Sequence, residues 1–261
     1  MKIVVSQPPP YVHLTVADRK NEGWQLQEAS ARRQHSDHLL NFITVSPPFH
    51  FSMKMDRLKT IAENLPKGAI VVMIDAFDVL FNSPINQLVT TFQALIQTLG
   101  ADTFSRKASI VFNGEKNCWP HQAWRSKYPS ETLLKPYPFL NSGVLVGFCE
   151  PILSILNHFP WDKNTDDQAY WMQAYFESLQ NPELPRIEVD HLGALACCMY
   201  QQPLAELACR DEAIVYRGNG SKPCLVHFNG PSKNMMRQVA KQLGIQLQPP
   251  LPSENESRGG P

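Results

Sequence analysis

The sequence predicts a single α/β domain, a sandwich of helices around a mostly parallel central β-sheet. Two observations favour this class. Segments typical of strands and of helices alternate along most of the 261 residues, and the run Ala69–Asp75 is apolar up to its last residue, as in a parallel strand covered on both faces. Neither a repeat nor a linker interrupts the pattern, so we expect one domain over residues 1–247. The polar composition of residues 248–261 predicts a disordered tail.

The individual elements follow from apolar periodicity and turn residues. Ser83-Pro84 places proline in the first turn of a helix, and an apolar stripe then runs along Ile85–Leu99. Further helices are predicted at Glu22–Leu40, Lys54–Leu65, Ile152–His158 and Asp166–Leu179. Besides Ala69–Asp75, strands are predicted at Tyr11–Ala17, Asn41–Val45, Ser109–Phe112, Gly143–Phe148, Ile187–Val189 and Cys224–Phe228.

The composition excludes several classes of partner. The 24 lysines and arginines balance 24 aspartates and glutamates, so no net charge attracts nucleic acid or an anionic membrane. No apolar run approaches the roughly 20 residues that span a bilayer, and the apolar stretch after Met1 is too short for a signal peptide. The six cysteines form no C-x-x-C pair, which predicts reduced, mostly buried thiols. We therefore expect a cytoplasmic protein, with export by a signal-less route left open.

Two carboxylates at the end of the apolar strand are the strongest local signal for chemistry. Asp75 ends the run and Asp78 follows three residues later. Ligands of open α/β sheets bind beyond the carboxyl ends of strands, and paired carboxylates there can hold a hard divalent cation. His227, at the end of another apolar run, could complete a metal site, and Lys233 could meet a phosphate. The alternative is that these side chains only cap strand ends and turns.

Two further segments admit both a structural and a functional interpretation. The run Thr165-Asp-Asp-Gln168 matches a capping box with acidic residues in the first helical turn, which stability alone could explain. Trp119 precedes a proline, so we expect it in a loop, as a platform for a sugar ring or as a packing anchor. Asn141-Ser-Gly143 is polar, and its glycine permits a close backbone approach.

Together these segments resemble the glycosyltransferase domain of the procollagen lysyl hydroxylase/glycosyltransferase family. The similarity runs from about Leu14 to Lys233, with short motifs in the same order along the chain. The motifs are Thr15-Val-Ala, Glu22-Gly, Ile74-Asp-Ala-Phe-Asp-Val, Asn117-Cys-Trp-Pro, Tyr128-Pro, Phe139-Leu-Asn-Ser-Gly, Gly147-Phe, Asp166-Asp-Gln, Val189-Asp-His and His227-Phe-Asn-Gly-Pro-Ser-Lys. None is decisive alone, but their shared order is hard to obtain by chance.

The resemblance implies a GT-A (Rossmann-like) fold, a UDP-glucose or UDP-galactose donor, and Mn²⁺ (or Mg²⁺). By resemblance, the metal ligands are Asp75, Asp78 and His227. The positions that would bind the nucleotide are Thr15, Val16, Asp18, Lys54, Phe77, Asn229, Gly230 and Lys233. Those that match the sugar and acceptor pocket are Glu115, Trp119, Asn141, Asp166 and Asp167. The implied acceptor is hydroxylysine or a galactosylhydroxylysine-like group, and neither a nucleic acid nor a membrane span is expected.

Departures from the family pattern leave alternatives open. Asp18 replaces a threonine near the nucleotide, Phe77 replaces a tyrosine, and the aspartate run is reduced to two residues. Residues 41–53 are shorter and unrelated, and the hydroxylase domain is absent, so no lysine hydroxylation is predicted. One alternative is a metal-dependent nucleotidyltransferase or phosphohydrolase. Another is a catalytically weak GT-A-like domain that binds a UDP-sugar or a partner.

Overall fold

A computed structural model of the chain describes residues 10–99, 108–245 and 247. The predicted disordered tail, residues 248–261, lies outside the described residues, as does the N-terminal segment 1–9. The helices are α1 (Glu22–Arg33), α2 (Ser52–Glu63), α3 (Ile85–Thr98), α4 (Cys149–His158), α5 (Asp167–Gln180) and α6 (Met236–Gln242). The strands are β1 (Tyr11–Ala17), β2 (Phe42–Thr44), β3 (Ile70–Ile74), β4 (Val79–Phe81), β5 (Ile110–Glu115), β6 (Phe139–Phe148), β7 (Ile187–Asp190), β8 (Ala196–Cys198), β9 (Leu207–Arg210), β10 (Ala213–Tyr216) and β11 (Leu225–His227).

The central sheet has six strands in the order β2-β1-β3-β6-β5-β7. Only β6 runs against its neighbours, β3 and β5, while the other pairs are parallel. The predicted mostly parallel sheet is therefore confirmed. Strand β3 is parallel to β1 but antiparallel to β6, so its apolar character comes from its central position rather than from two parallel partners.

Helices cover both faces of this sheet. Successive side chains of β3 point to opposite faces, so Val71 and Met73 pack with α2, α4 and α5, whereas Ile70, Val72 and Ile74 pack with α3. Burying each such large apolar side chain contributes about 1.5–3 kcal/mol relative to leaving it exposed. Helices therefore pack against both faces of the central sheet, which confirms the αβα sandwich.

A second sheet of three strands, in the order β4-β11-β8, extends from the ends of the central strands. A β9–β10 hairpin and α6 lie beside it. The sequence analysis missed β4, β8, β9, β10 and α6, because elements of three to seven residues give too few turns or alternations to show a period.

Two predicted boundaries were wrong by four residues or more. The first helix ends at Arg33 instead of Leu40, because His35 adopts a left-handed backbone with φ of 53° and a short 3₁₀ turn, Asp37–Leu39, follows. Strand β6 begins at Phe139, four residues before the predicted start. That extension brings Asn141 into the sheet beside β5.

Candidate active site

Two carboxylates and one imidazole converge where the two sheets meet. Asp75 follows β3, Asp78 precedes β4, and His227 ends β11. The Nε2 atom of His227 lies 3.8 Å from Oδ2 of Asp75 and 3.7 Å from Oδ2 of Asp78. One potential ligand atom from each residue lies within 4.8 Å of the others. The three predicted metal ligands are therefore brought together.

The local backbone explains this convergence. Strand β11 pairs antiparallel with β4, so that His227 lies opposite Val79, directly after Asp78. The N–H of Phe228 donates to the carbonyl of Asp78 at 2.7 Å, which fixes the turn against β11. Glycine at residue 143 allows this position of the ring, because a Cβ atom there would lie only 2.1 Å from Cε1 of His227.

The donor set fits a hard divalent cation. Two carboxylates and one imidazole are ligands that Mn²⁺ and Mg²⁺ accept, and water or phosphate oxygens can complete the shell. Burial would raise the pKa of Asp78, but His227 and Lys233 outweigh it and lower that pKa to about 2. Burial would lower the pKa of His227, but the facing carboxylates raise it. Both shifts come from attraction between the two carboxylates and nearby positive charge, and a bound cation would be attracted in the same way.

A cavity of about 580 Å³ opens beside this cluster. Its walls include the predicted sugar and acceptor residues Glu115, Trp119, Asn141, Asp166 and Asp167. Trp119 is 57% exposed, so it is not a buried packing anchor. A smaller groove adjoins the cavity and is lined by Gly23 and Phe77, and Lys233 lines both spaces.

Glu115 lies at the centre of a ring of side-chain amides. Its Oε1 accepts hydrogen bonds from Gln168 at 2.6 Å and from Asn141 at 3.2 Å, and its Oε2 accepts from Asn229 at 2.8 Å. Burial raises the pKa of Glu115 to about 7, and the amide donors offset this only in part. Asn229 also accepts the N–H of Tyr200. The ring joins β5, β6, α5 and the turn after β11 into one cavity wall.

Lys54 is buried between two carboxylates. Its Nζ lies 2.6 Å from Oδ1 of Asp75 and 2.5 Å from Oδ2 of Asp167. Burial alone would lower the pKa of Lys54, but Asp167 and Asp75 outweigh it and raise that pKa. The side chain predicted to meet the nucleotide is therefore an internal countercharge for Asp75, one of the three predicted metal ligands.

The predicted capping box at Thr165 was wrong. Asp166 is the N-cap of α5 and accepts the N–H of Ala169 at 2.8 Å, while the Thr165 hydroxyl donates to Asp162. Gln168, expected to complete the box, donates instead to Glu115 and to the Trp119 carbonyl. The Thr165 hydroxyl oxygen accepts the N–H of Asp162 instead of a helix N–H, so the start of the helix shifts by one residue.

The remaining predicted nucleotide-binding residues lie in several places. Thr15 and Val16 are buried in β1, where the Thr15 hydroxyl donates to the Ile74 carbonyl at 3.0 Å, and neither residue lines the cavity or the groove. Asp18 is half-buried and pairs with Arg19. Gly230 lines the cavity with a φ of 57°. Contact of these residues with a nucleotide stays a prediction.

Three cavity residues were not identified from sequence. Phe51, which is 52% exposed, and Tyr200 add aromatic rings to the wall, and Gln122 adds an amide. Phe51 lies in the segment unrelated to the family pattern, and none of the three belongs to a motif. No sequence signal could have identified them.

The PLOD GT domain, a sequence family, matches residues 51–248, more than half of the chain. The multifunctional procollagen lysine hydroxylase and glycosyltransferase of Caenorhabditis elegans is 27% identical over 67% of this chain and 23% of its own length. The corresponding LH3 enzyme of Rattus norvegicus is 26% identical over 67% of this chain and 22% of its own length. The chain thus spans about a quarter of the length of these curated relatives.

Two solved structures align with most of this chain at low sequence identity. An active-site mutant of LgtC is 14% identical, with a TM-score of 0.46 over 91% of this chain and 97% of that chain. Glucosyl-3-phosphoglycerate synthase from Mycobacterium tuberculosis, solved with Mn²⁺, UDP and phosphoglyceric acid, is 12% identical, with a TM-score of 0.44 over 91% of this chain and 80% of that chain. Among the residues that the structure describes here, no helix is long and apolar enough to cross a membrane.

Proposed function

Because this chain belongs to the PLOD GT domain family, we propose that it is a metal-dependent glycosyltransferase of the GT-A type. It would move glucose or galactose from a UDP-sugar to a hydroxyl group of its acceptor. The observation that carries the proposal is the convergence of Asp75, Asp78 and His227 in the wall of a cavity of about 580 Å³.

The donor end of the reaction is supported by the charges around this cluster. Asp75, Asp78 and His227 would hold Mn²⁺ or Mg²⁺, which supplies Lewis acidity toward the diphosphate oxygens when bound. The ammonium of Lys233 lies 3.0 Å from Oδ2 of Asp78 and its side chain is 58% exposed. It can therefore turn toward a diphosphate and stabilise the charge that builds on departing UDP. Phe77, in the adjoining groove, offers an aromatic face to the uridine.

The acceptor end is assigned by considering what each carboxylate already binds. Of the five acidic residues that line the cavity, Asp75 and Asp78 would hold the cation, Glu115 is held by three amides, and Asp167 is paired with Lys54. The Asp166 carboxylate, half-buried at the rim, makes a single hydrogen bond to the described residues, the N-cap bond. We therefore assign to Asp166, rather than Asp167, the contact with the acceptor hydroxyl or the reacting sugar.

The proposed acceptor is hydroxylysine or a galactosylhydroxylysine-like group, by analogy with the relatives named above. The exposed ring of Trp119 would stack on the apolar face of a sugar. A peptide that carries galactosylhydroxylysine should stimulate UDP release from UDP-glucose above the rate without acceptor. An equal rate with and without it would refute this choice of acceptor.

A donor screen tests the proposed activity. Purified protein with Mn²⁺ is incubated with UDP-glucose, UDP-galactose and GDP-mannose, and released nucleoside diphosphate is measured. We expect release from a UDP-sugar, its loss in EDTA, and its loss in Asp78→Asn. Asp211→Asn, the same change at an exposed hairpin turn, is the matched control and should retain activity. Tight UDP binding without release from any donor would favour the non-catalytic alternative.

A further inference from the structure

We infer that the sulfur atom of Cys198 orients the imidazole of His227 for metal binding by accepting the hydrogen bond of its Nδ1–H. This inference rests on the metal site of the proposed function. Cys198 does not line the cavity, and nothing in its sequence pattern distinguished it from the other five cysteines. It would act as a positioning residue.

Strand register makes this contact a fixed feature of the fold. Strands β8 and β11 are parallel neighbours in the small sheet, and Cys198 is in register with His227. Registered side chains project from the same face of a sheet, and the preceding residue, Cys197, projects from the opposite face, where its sulfur lies 3.4 Å from the Tyr137 hydroxyl. The Cys198 sulfur lies 3.7 Å from Nδ1 of His227, within the longer range of hydrogen bonds to sulfur.

The side-chain amide of Asn113 shows that the sulfur of Cys198 acts as a hydrogen-bond acceptor. The N–H of Val144 donates to Oδ1 of Asn113 at 3.0 Å, so the amide group of Asn113 can have only one orientation. Its Nδ2 then donates to the Cys198 sulfur at 3.0 Å. A thiol sulfur has two lone pairs, one for Asn113 and one for His227. Both Asn113 and Cys198 are fully buried, so water does not compete for these bonds.

The tautomer of His227 follows from the geometry on its other side. Its Nε2 faces Asp75 and Asp78, and a metal ion there needs the lone pair of that nitrogen. The ring proton must then be on Nδ1, where the only polar atom within hydrogen-bond range among the described residues is the Cys198 sulfur. Metal-bound histidines are oriented by an acceptor at the second nitrogen, and removing it typically weakens metal affinity about 10- to 100-fold.

The test compares two adjacent cysteines. Free Mn²⁺ is titrated into protein without donor and followed by electron paramagnetic resonance. Cys198→Ala should raise the Kd for Mn²⁺ about tenfold or more, whereas Cys197→Ala, which removes an equally buried thiol from the opposite face, should change it less than twofold. Cys198→Ser restores an acceptor and should recover part of the loss. Equal effects of the two alanine variants would overturn the inference, and absence of Mn²⁺ binding by the wild-type protein would overturn the metal site as well.

A second test uses the wild-type protein, so its result does not depend on whether a variant folds. Long-range ¹H–¹⁵N correlation in saturating Mg²⁺, which is diamagnetic, reports which ring nitrogen of each histidine carries the proton. We expect His227 to be the Nδ1–H tautomer with Nε2 bound to the metal. In folded Cys198→Ala, we expect His227 no longer to be present as this single tautomer. A proton on Nε2 of His227 in the Mg²⁺-bound wild-type protein would contradict the inference even if Mn²⁺ binds tightly.

Discussion

Replacing Gly143 with alanine should remove His227 from the metal site without unfolding the domain. The new Cβ would lie 2.1 Å from Cε1 of the imidazole, whereas carbon atoms pack favourably at about 3.5–4.0 Å. The ring must therefore move by about 1.4 Å or more to restore contact distance. Because metal–ligand distances vary by only about 0.2 Å, such a shift removes the imidazole from the coordination shell. We expect Mn²⁺ affinity to fall at least about 100-fold, the upper end of the effect of losing an outer-shell partner.

Isothermal titration calorimetry of Mn²⁺ measures this effect directly. Gly147→Ala is the matched control, since it makes the same change in the same strand but meets Ser109 and Ile110 at 3.1–3.2 Å, where small shifts suffice. It should lower the melting temperature modestly and leave Mn²⁺ affinity within about threefold of wild type. If folded Gly143→Ala binds Mn²⁺ as tightly as wild type, His227 is not a ligand.

Three further predictions concern other parts of the site. Asp167→Asn should lower the free energy of unfolding by about 1–3 kcal/mol in a denaturant titration, since buried Lys54 keeps the carboxylate of Asp75 but loses that of Asp167. Asp166→Asn, which keeps a good N-cap, should cost less than about 1 kcal/mol but lower kcat about 100-fold; the reverse pattern would refute the assignment of the two residues. Lys233→Ala should raise the KM for the UDP-sugar, and an unchanged KM would exclude the predicted phosphate contact. Without metal, protonated Glu115 should stabilise the fold fully below its unfolded pKa of 4.5, and this stabilisation should be lost as the pH rises through about 7. Glu115→Gln should therefore reduce the fall of the melting temperature with pH over that interval. An unchanged dependence of melting temperature on pH would contradict this.

The sequence identifies those site residues that directly follow a strongly apolar strand. Asp75 and Asp78 follow an unbroken apolar strand, so both their position at the sheet edge and their convergence could be predicted. His227 ends a second apolar run, and the family resemblance connects the two segments. The same reasoning predicted the αβα layers, since long apolar stripes and buried strands dominate both cores.

Side-chain partners far apart in the sequence could not be predicted in this way. Lys54 and Asp167 are 113 positions apart, and no local pattern shows that the lysine is buried against the helix start. The incorrect capping box has the same origin in part, because Gln168 donates to Glu115, 53 positions away, while the Thr165 hydroxyl bonds locally to Asp162. Contacts in the folded chain therefore give different roles to neighbouring residues that the sequence motif alone does not distinguish.

Product analysis of a labelled donor tests the proposed function most directly. UDP-glucose and UDP-galactose, each labelled in the hexose, are incubated with the protein in Mn²⁺ or EDTA, and the products are separated by chromatography. Glycosyl transfer predicts UDP, formed only with the metal, together with labelled hexose on the acceptor peptide. Formation of UMP and labelled hexose 1-phosphate would mean that the diphosphate is cleaved instead, and would contradict assignment as a glycosyltransferase.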